Sequence, residues 1–242
     1  MRNLSHIRLL LLIAFAFSLA ACSGSSPTKF YNPDYKEKVF KDKTVAIFIK
    51  DSLKNSADHS TNEFLENNYG SFESFFNEYF PRYLAEYSLA RVPYLTRIDD
   101  KYFTDLLFYN NKQRKEHIAS PARKTILRDA ENKIPDLVLI LIKPTLRSFY
   151  ISSGKISESQ GYLSQTSGRD AHININCRMI LWDNNIGEAI SFGECNSVKY
   201  IPPLVEMTRS DMEDCIKLFV SDITVGSPLC NYEKISELKK IQ

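Results

Sequence analysis

The spacing of apolar and polar positions divides the chain into elements. Residues 44–49 run Thr-Val-Ala-Ile-Phe-Ile without interruption, the pattern of a strand covered on both faces. Residues 50–60 are polar and predict a loop. From Thr61 the period lengthens: Phe72, Phe75, Phe76, Tyr79, Phe80, Tyr83, Leu84 and Tyr87 recur at three and four. That spacing puts an aromatic stripe on one side of a helix over about 71–89, with Pro81 expected to kink or divide it. Residues 91–98 contain Pro93 and predict an edge strand. Residues 99–134 are irregular, with short helices expected around 102–109 and 118–131 and a polar turn at 110–115.

A second buried strand is expected over 137–142, behind Pro135-Asp136 and ended by Lys143-Pro144. Another follows over 146–151 after a bend. Residues 152–170 are rich in serine and glycine and predict a loop or hairpin tip. Over 171–182 the alternation is clear, with Ile173, Ile175, Cys177, Met179 and Leu181 on one face and His172, Asn174, Asn176 and Arg178 on the other. Asp183 to Gly187 forms the connection to a return strand over 188–198. Thr208 has the position of an N-cap with Asp211 as its capping acid. Met212, Cys215, Ile216, Phe219 and Ile223 then form the apolar side of a helix that Gly226-Ser227-Pro228 stops. A short final helix is expected in the charged tail. The order implies an α/β domain, with α+β as the alternative: a mixed sheet with a strand-helix-strand start, a long hairpin and a C-terminal helix packed on the sheet.

The amino terminus reads differently. Arg2 and Arg8 precede an apolar run over 9–21 whose only polar residue is Ser18, too short for a bilayer crossing and suited to a secretory signal. It closes on Leu19-Ala20-Ala21-Cys22, which resembles the lipobox of bacterial lipoproteins. That resemblance implies removal of residues 1–21, attachment of diacylglycerol and fatty acyl groups such as palmitate to Cys22, and a stable membrane anchor. Ser23 in the next position implies sorting to the outer membrane, facing the periplasm. Residues 22–43 then form a tether, with Phe30, Tyr31 and Tyr35 able to dock on a single domain spanning 44–242.

Removing Arg2 and Arg8 from 31 basic side chains leaves 29 against 29 acids, so the mature chain is formally neutral. Neutrality and the lack of basic tracts argue against nucleic acid as a partner. Cys177, Cys195, Cys215 and Cys230 remain after Cys22, an even number that permits disulfide bonds in an exported chain. Pairing Leu181 with Ile190 and Met179 with Phe192 would turn Cys195 away from Cys177 unless a bulge at Gly193 shifts the register. Cys177–Cys215 with Cys195–Cys230 is geometrically open, and three pairings exist.

Dinucleotide, Walker, zinc-protease and nucleophile-elbow motifs are missing, and no cofactor or metal is expected. The candidates for chemistry are His172 and Asp170 near the serine-rich loop, the solvated pair Asp58-His59, and the turn acids Asp99, Asp100 and Asp183. Residues 112–128 form a mildly basic stretch.

Three segments carry a further resemblance: residues 44–48, residues 135–139, and the hairpin Met179-Ile180-Leu181-Trp182-Asp183-Asn184-Asn185-Ile186-Gly187-Glu188. Their order is similar to the periplasmic α/β domain of the curli-secretion lipoprotein, the LpoB-type activators of peptidoglycan synthases and the amino-terminal domain of TolB. The turn has Asn185-Ile186 where that family has x-Thr, and Phe192 stands where a tryptophan would follow. The resemblance implies a noncatalytic envelope lipoprotein, a tethered adaptor or binding module for an envelope protein or cell-wall polymer. The rival expectation is a lipid-anchored hydrolase or metal-dependent enzyme built around His172 and Asp170.

Overall fold

A computed structural model describes residues 29–111, 114–152, 169–202 and 205–238. Strand β1 (Lys29–Tyr31) is followed by β2 (Lys43–Lys50), the short β3 (Lys54–Ser56), and helices α1 (His59–Tyr69) and α2 (Phe72–Tyr87). Next come β4 (Ala90–Thr96), the pair β5 (Asp105–Asn111) and β6 (Arg114–Ser120), and the long strands β7 (Leu137–Ser152), β8 (Arg169–Asp183) and β9 (Glu188–Ile201). Helices α3 (Arg209–Thr224) and α4 (Tyr232–Leu238) close the chain. The main sheet has the order β1-β9-β8-β7-β2-β4, with β3 alongside the far half of β7. Strands β4, β2 and β7 are parallel, and β7, β8, β9 and β1 are antiparallel. The fold is thus mixed α/β, with the hairpin and C-terminal helices that the pattern implies.

One face of this sheet lies under the helices. Val45, Ile47, Leu139, Met179 and Leu181 meet Phe75, Phe76, Phe80 and Leu84 from α2 and Met212, Ile216 and Phe219 from α3. Phe76, Phe80 and Phe219 pack ring against ring at 4.8–6.2 Å. Helix α2 runs through Pro81 undivided, because Ser71 caps its start and its aromatic stripe is buried along the whole length. The break falls earlier, at Gly70, whose φ of 80° ends α1. Thr208 and Asp211 form the reciprocal capping box of α3.

The opposite face is covered by the stretch whose pattern was weakest. Ala46, Phe48, Val138, Ile140, Ile180, Trp182 and Phe192 are buried against Ile98, Tyr109, Ile118 and Leu127. The helices expected around 102–109 and 118–131 do not form. Residues 105–111 and 114–120 are instead the β5–β6 pair, and 121–136 cross the sheet as irregular chain. What holds the irregular part is the β8–β9 turn. The Leu127 amide donates to Asn184 Oδ1 at 2.6 Å, and Asn184 Nδ2 donates to the carbonyls of Leu127 and Pro135, both at 2.9 Å. Trp182 Nε1 adds a bond to the Thr125 carbonyl at 3.2 Å. Gly187, at φ 69°, lies so near that a Cβ there would stand 2.5 Å from the Lys124 backbone. No side chain fits this approach.

The cysteines correct the disulfide expectation: Cys177, Cys195, Cys215 and Cys230 are all buried and free. The register shifts between Leu181 and Trp182, so Met179 pairs with Gly193 and Cys177 lies directly opposite Cys195, on the same face rather than turned away. Burial raises the Cys177 thiol well above its ordinary pKa, reinforced by its hydrogen bond with Cys195, and this suppresses the thiolate that exchange requires. Cys215 contacts Ser197 Oγ at 3.7 Å, and burial pushes its pKa up to about 12. Burial also raises Cys230, which sits beside Ser88 in an isolated bridge.

Candidate functional site

Phe30, Tyr31 and Tyr35 pack on the sheet and its flanking elements. Phe30 pairs with Phe192 across the β1–β9 ladder, their rings 4.8 Å apart. Tyr31 Oη donates to the Val225 carbonyl at 2.7 Å, and the buried Tyr35 donates to Asp183 Oδ2 at 3.0 Å. Lys29 forms an ion pair with Asp222 that its surroundings reinforce: burial works to lower the lysine pKa, but the nearby Cys195 and Asp222 prevail and raise it. Cys22 lies outside the described residues.

A concavity of about 980 Å³ wraps the edge strand β4 between the first turns of α2, the end of β4 and residues 129–135. Asp129, which lines it, is committed to structure. Asp129 accepts from Tyr94 Oη at 2.9 Å and from the amides of Glu131 and Lys133 at 2.9 and 2.8 Å. Burial alone would raise this carboxyl; the three donors outweigh it and hold it below the usual carboxylate range. Tyr94 moves the other way, pushed up to about 12 by burial and by Asp129. Pro93 stands in the middle of β4 and removes one amide from that strand, which blunts it as a template for an added strand.

A second surface occupies the far half of β7, β8 and β9. There the helix-side face stays apolar, with Leu146, Ile173 and Ile175 fully buried. The other face carries Arg147, Phe149, His172, Asn174, Asn176, Asn196, Val198 and Tyr200 in cross-strand register. Phe149 and His172 stack at 5.0 Å with planes 3° apart, and Tyr200 follows at 5.4 Å from His172. Phe149 and Tyr200 are 41% and 43% exposed, which makes this row an aromatic shelf rather than a core. Beside it, Asn174 donates to Asn196 Oδ1 and to the Ser197 carbonyl, and Asn176 donates to Asn174 Oδ1 at 3.1 Å. Arg178, donating to the His117 carbonyl at 3.4 Å, marks where the β5–β6 cover begins.

His172 is therefore placed between two aromatic rings, with Nδ1 buried and without a hydrogen-bond partner among the described residues. Asp170 pairs through its backbone with Ile151 two positions along β8; its side chain and residues 153–168 lie outside the described residues. The turn acids serve other bonds: Asp183 accepts from Tyr35, Asp99 binds Lys101, and Asp100 binds Lys50. Among the described residues no group of three potential metal ligands converges, and no helix is long and apolar enough to cross a membrane. Phe149 and Tyr200 were not singled out in the sequence. Their parity was available, because each falls on the face opposite the buried Leu146 and Ile201.

No family model and no curated protein matches the chain. Among solved structures, the chain is similar to a Helicobacter pylori protein described as a neuraminyllactose-binding hemagglutinin homologue. The two share 10% identity at a TM-score of 0.36, over 88% of this chain and 98% of that one. A likeness of that depth carries no functional argument.

Proposed function

We propose that this protein is a noncatalytic envelope lipoprotein, anchored through Cys22 and acting as a tethered binding module for an envelope protein or polymer. The observation behind this reading is the aromatic shelf: Phe149, His172 and Tyr200 lie side by side on three adjacent strands, with the Phe149 and Tyr200 rings exposed on either side of a half-buried His172. Aromatic side chains exposed in a row are costly to leave in water and suit recognition, since they offer large rigid contact area at small entropic cost. The neighbouring amides supply donors and acceptors for orientation. Anchoring would confine the module to one surface and raise its effective concentration there.

A photo-crosslinking residue placed at Phe149 in intact cells tests the reading against one placed at the exposed Ala85 on α2. Capture of a defined product from position 149 alone supports the binding module. Equal background at both positions, with the protein in the membrane fraction, sinks it. The anchor has its own check: Cys22→Ser should release the protein from membranes and leave the signal segment uncut.

A further inference from the structure

We propose that the β1 edge of the sheet rests against the bilayer, with Phe30 and Tyr232 at headgroup level and the β4 edge pointing away. This rests on the reading of Cys22 as the lipid-bearing residue. Only six residues separate Cys22 from Lys29. From Lys29 onward the chain is fastened, by its pairing with Gly193, by the ion pair to Asp222 and by the Tyr31 bond to Val225. At full extension seven residue steps reach about 25 Å. Five interstrand spacings separate β1 from β4 in the sheet order, roughly 24 Å at about 4.8 Å each, so only a tether drawn out to nearly its full length would reach from one edge to the other.

The surface where the chain enters has suitable chemistry. Phe30 is 44% exposed on one side of β1, and Val225 and Tyr232 are 39% and 66% exposed on the other. These residues are grouped around a fixed point, because Gly226 packs against the Tyr31 ring and Tyr232 lies close enough to Tyr31 to act on its titration. A phenol with an apolar ring and a polar tip is at home at the headgroup boundary. The partner of this edge is thus the lipid surface that holds the anchor.

The test uses full-length protein purified from membranes and reconstituted in phosphatidylethanolamine–phosphatidylglycerol vesicles containing lipids brominated near the glycerol. An environment-sensitive fluorophore is attached through Val225→Cys in one sample and Arg97→Cys, at the β4 end, in another; the four native thiols are buried and slow to react. We expect at least a twofold loss of fluorescence at position 225 and no loss at 97. Equal quenching at both positions, or stronger quenching at 97, overturns the orientation. Palmitate incorporation, measured on the same preparations and on Cys22→Ser, separates the two ideas. Lipidated protein with symmetric quenching removes the orientation alone, whereas protein without lipid removes the anchor and the orientation together.

Discussion

The two halves of strands β7, β8 and β9 share one backbone ladder and differ in what lies above it. Near the β8–β9 turn, Trp182, Ile180 and Phe192 are sealed under residues 98–127. Farther along the same face the side chains become Arg178, Asn176, Asn174 and His172, and among the described residues the cover ends. The helix-side face of β8 shows no such change, remaining Leu181, Met179, Cys177, Ile175 and Ile173 throughout. Composition on one face of one strand thus records where a second layer stops. Phe149, Val198 and Tyr200 break the trend, apolar groups left open on an otherwise polar half.

The comparison can be broken most directly at its covered end. Trp182→Ala should cost about 4 kcal/mol in urea unfolding, as for other large buried aromatics, while Phe149→Ala should cost less than about 1 kcal/mol. Similar losses at the two positions would mean that the halves are equally packed. Asn184→Ala should follow at about 3 kcal/mol, since it leaves one amide and two carbonyls of the cover unpaired, and Asn184→Asp should not rescue it because a carboxylate cannot donate to those carbonyls. In Asn184→Ala, hydrogen exchange should quicken in residues 121–136 before it quickens in β7.

A smaller effect belongs to the capping box. Thr208→Ala should lower stability by about 1 kcal/mol, read from the denaturation midpoint, without altering shelf crosslinking. The smallest effect is a pH dependence at the covered end. Burial tends to raise the carboxyl of Asp136, but donation from the Thr44 amide and hydroxyl, with Lys43 nearby, holds it below the ordinary value. Its contribution is therefore present above about pH 4, the unfolded carboxylate pKa, and is lost as acid carries the pH through the lower folded value. Asp136→Asn should flatten that limb of a stability–pH curve. An unchanged slope would show that the pairing contributes nothing there.

Strands β2, β8 and β9 were legible because runs and alternation report burial directly, and Thr208 was legible as a cap because its partner lies three residues away; β7 was read as two strands divided at Lys143-Pro144, where the structure has one strand with only a register irregularity between Ile142 and Thr145. Residues 99–136 were not legible. Residues 124–135 take their order from Asn184, Trp182 and Gly187, and no local period encodes a bond of that span. The same reason explains Cys195, expected to face away from Cys177: an irregularity at Leu181–Trp182, rather than a bulge at Gly193, moves every later pair by one and brings the two opposite each other. Of the candidate site, His172 was visible as a polar residue on an alternating strand. Its companions were hidden because Phe149 and Tyr200 come from separate strands whose alignment only the register supplies.

The clamp formed by Asn184 also sets a sequence of events in time. Leu127 and its anchor are 57 positions apart, so the layer over Trp182 cannot assemble until the β8–β9 turn has been synthesised and has closed. Until then the apolar row Val138, Ile140 and Ile180 stands uncovered, and a nascent chain in that state is a natural client for a holdase chaperone.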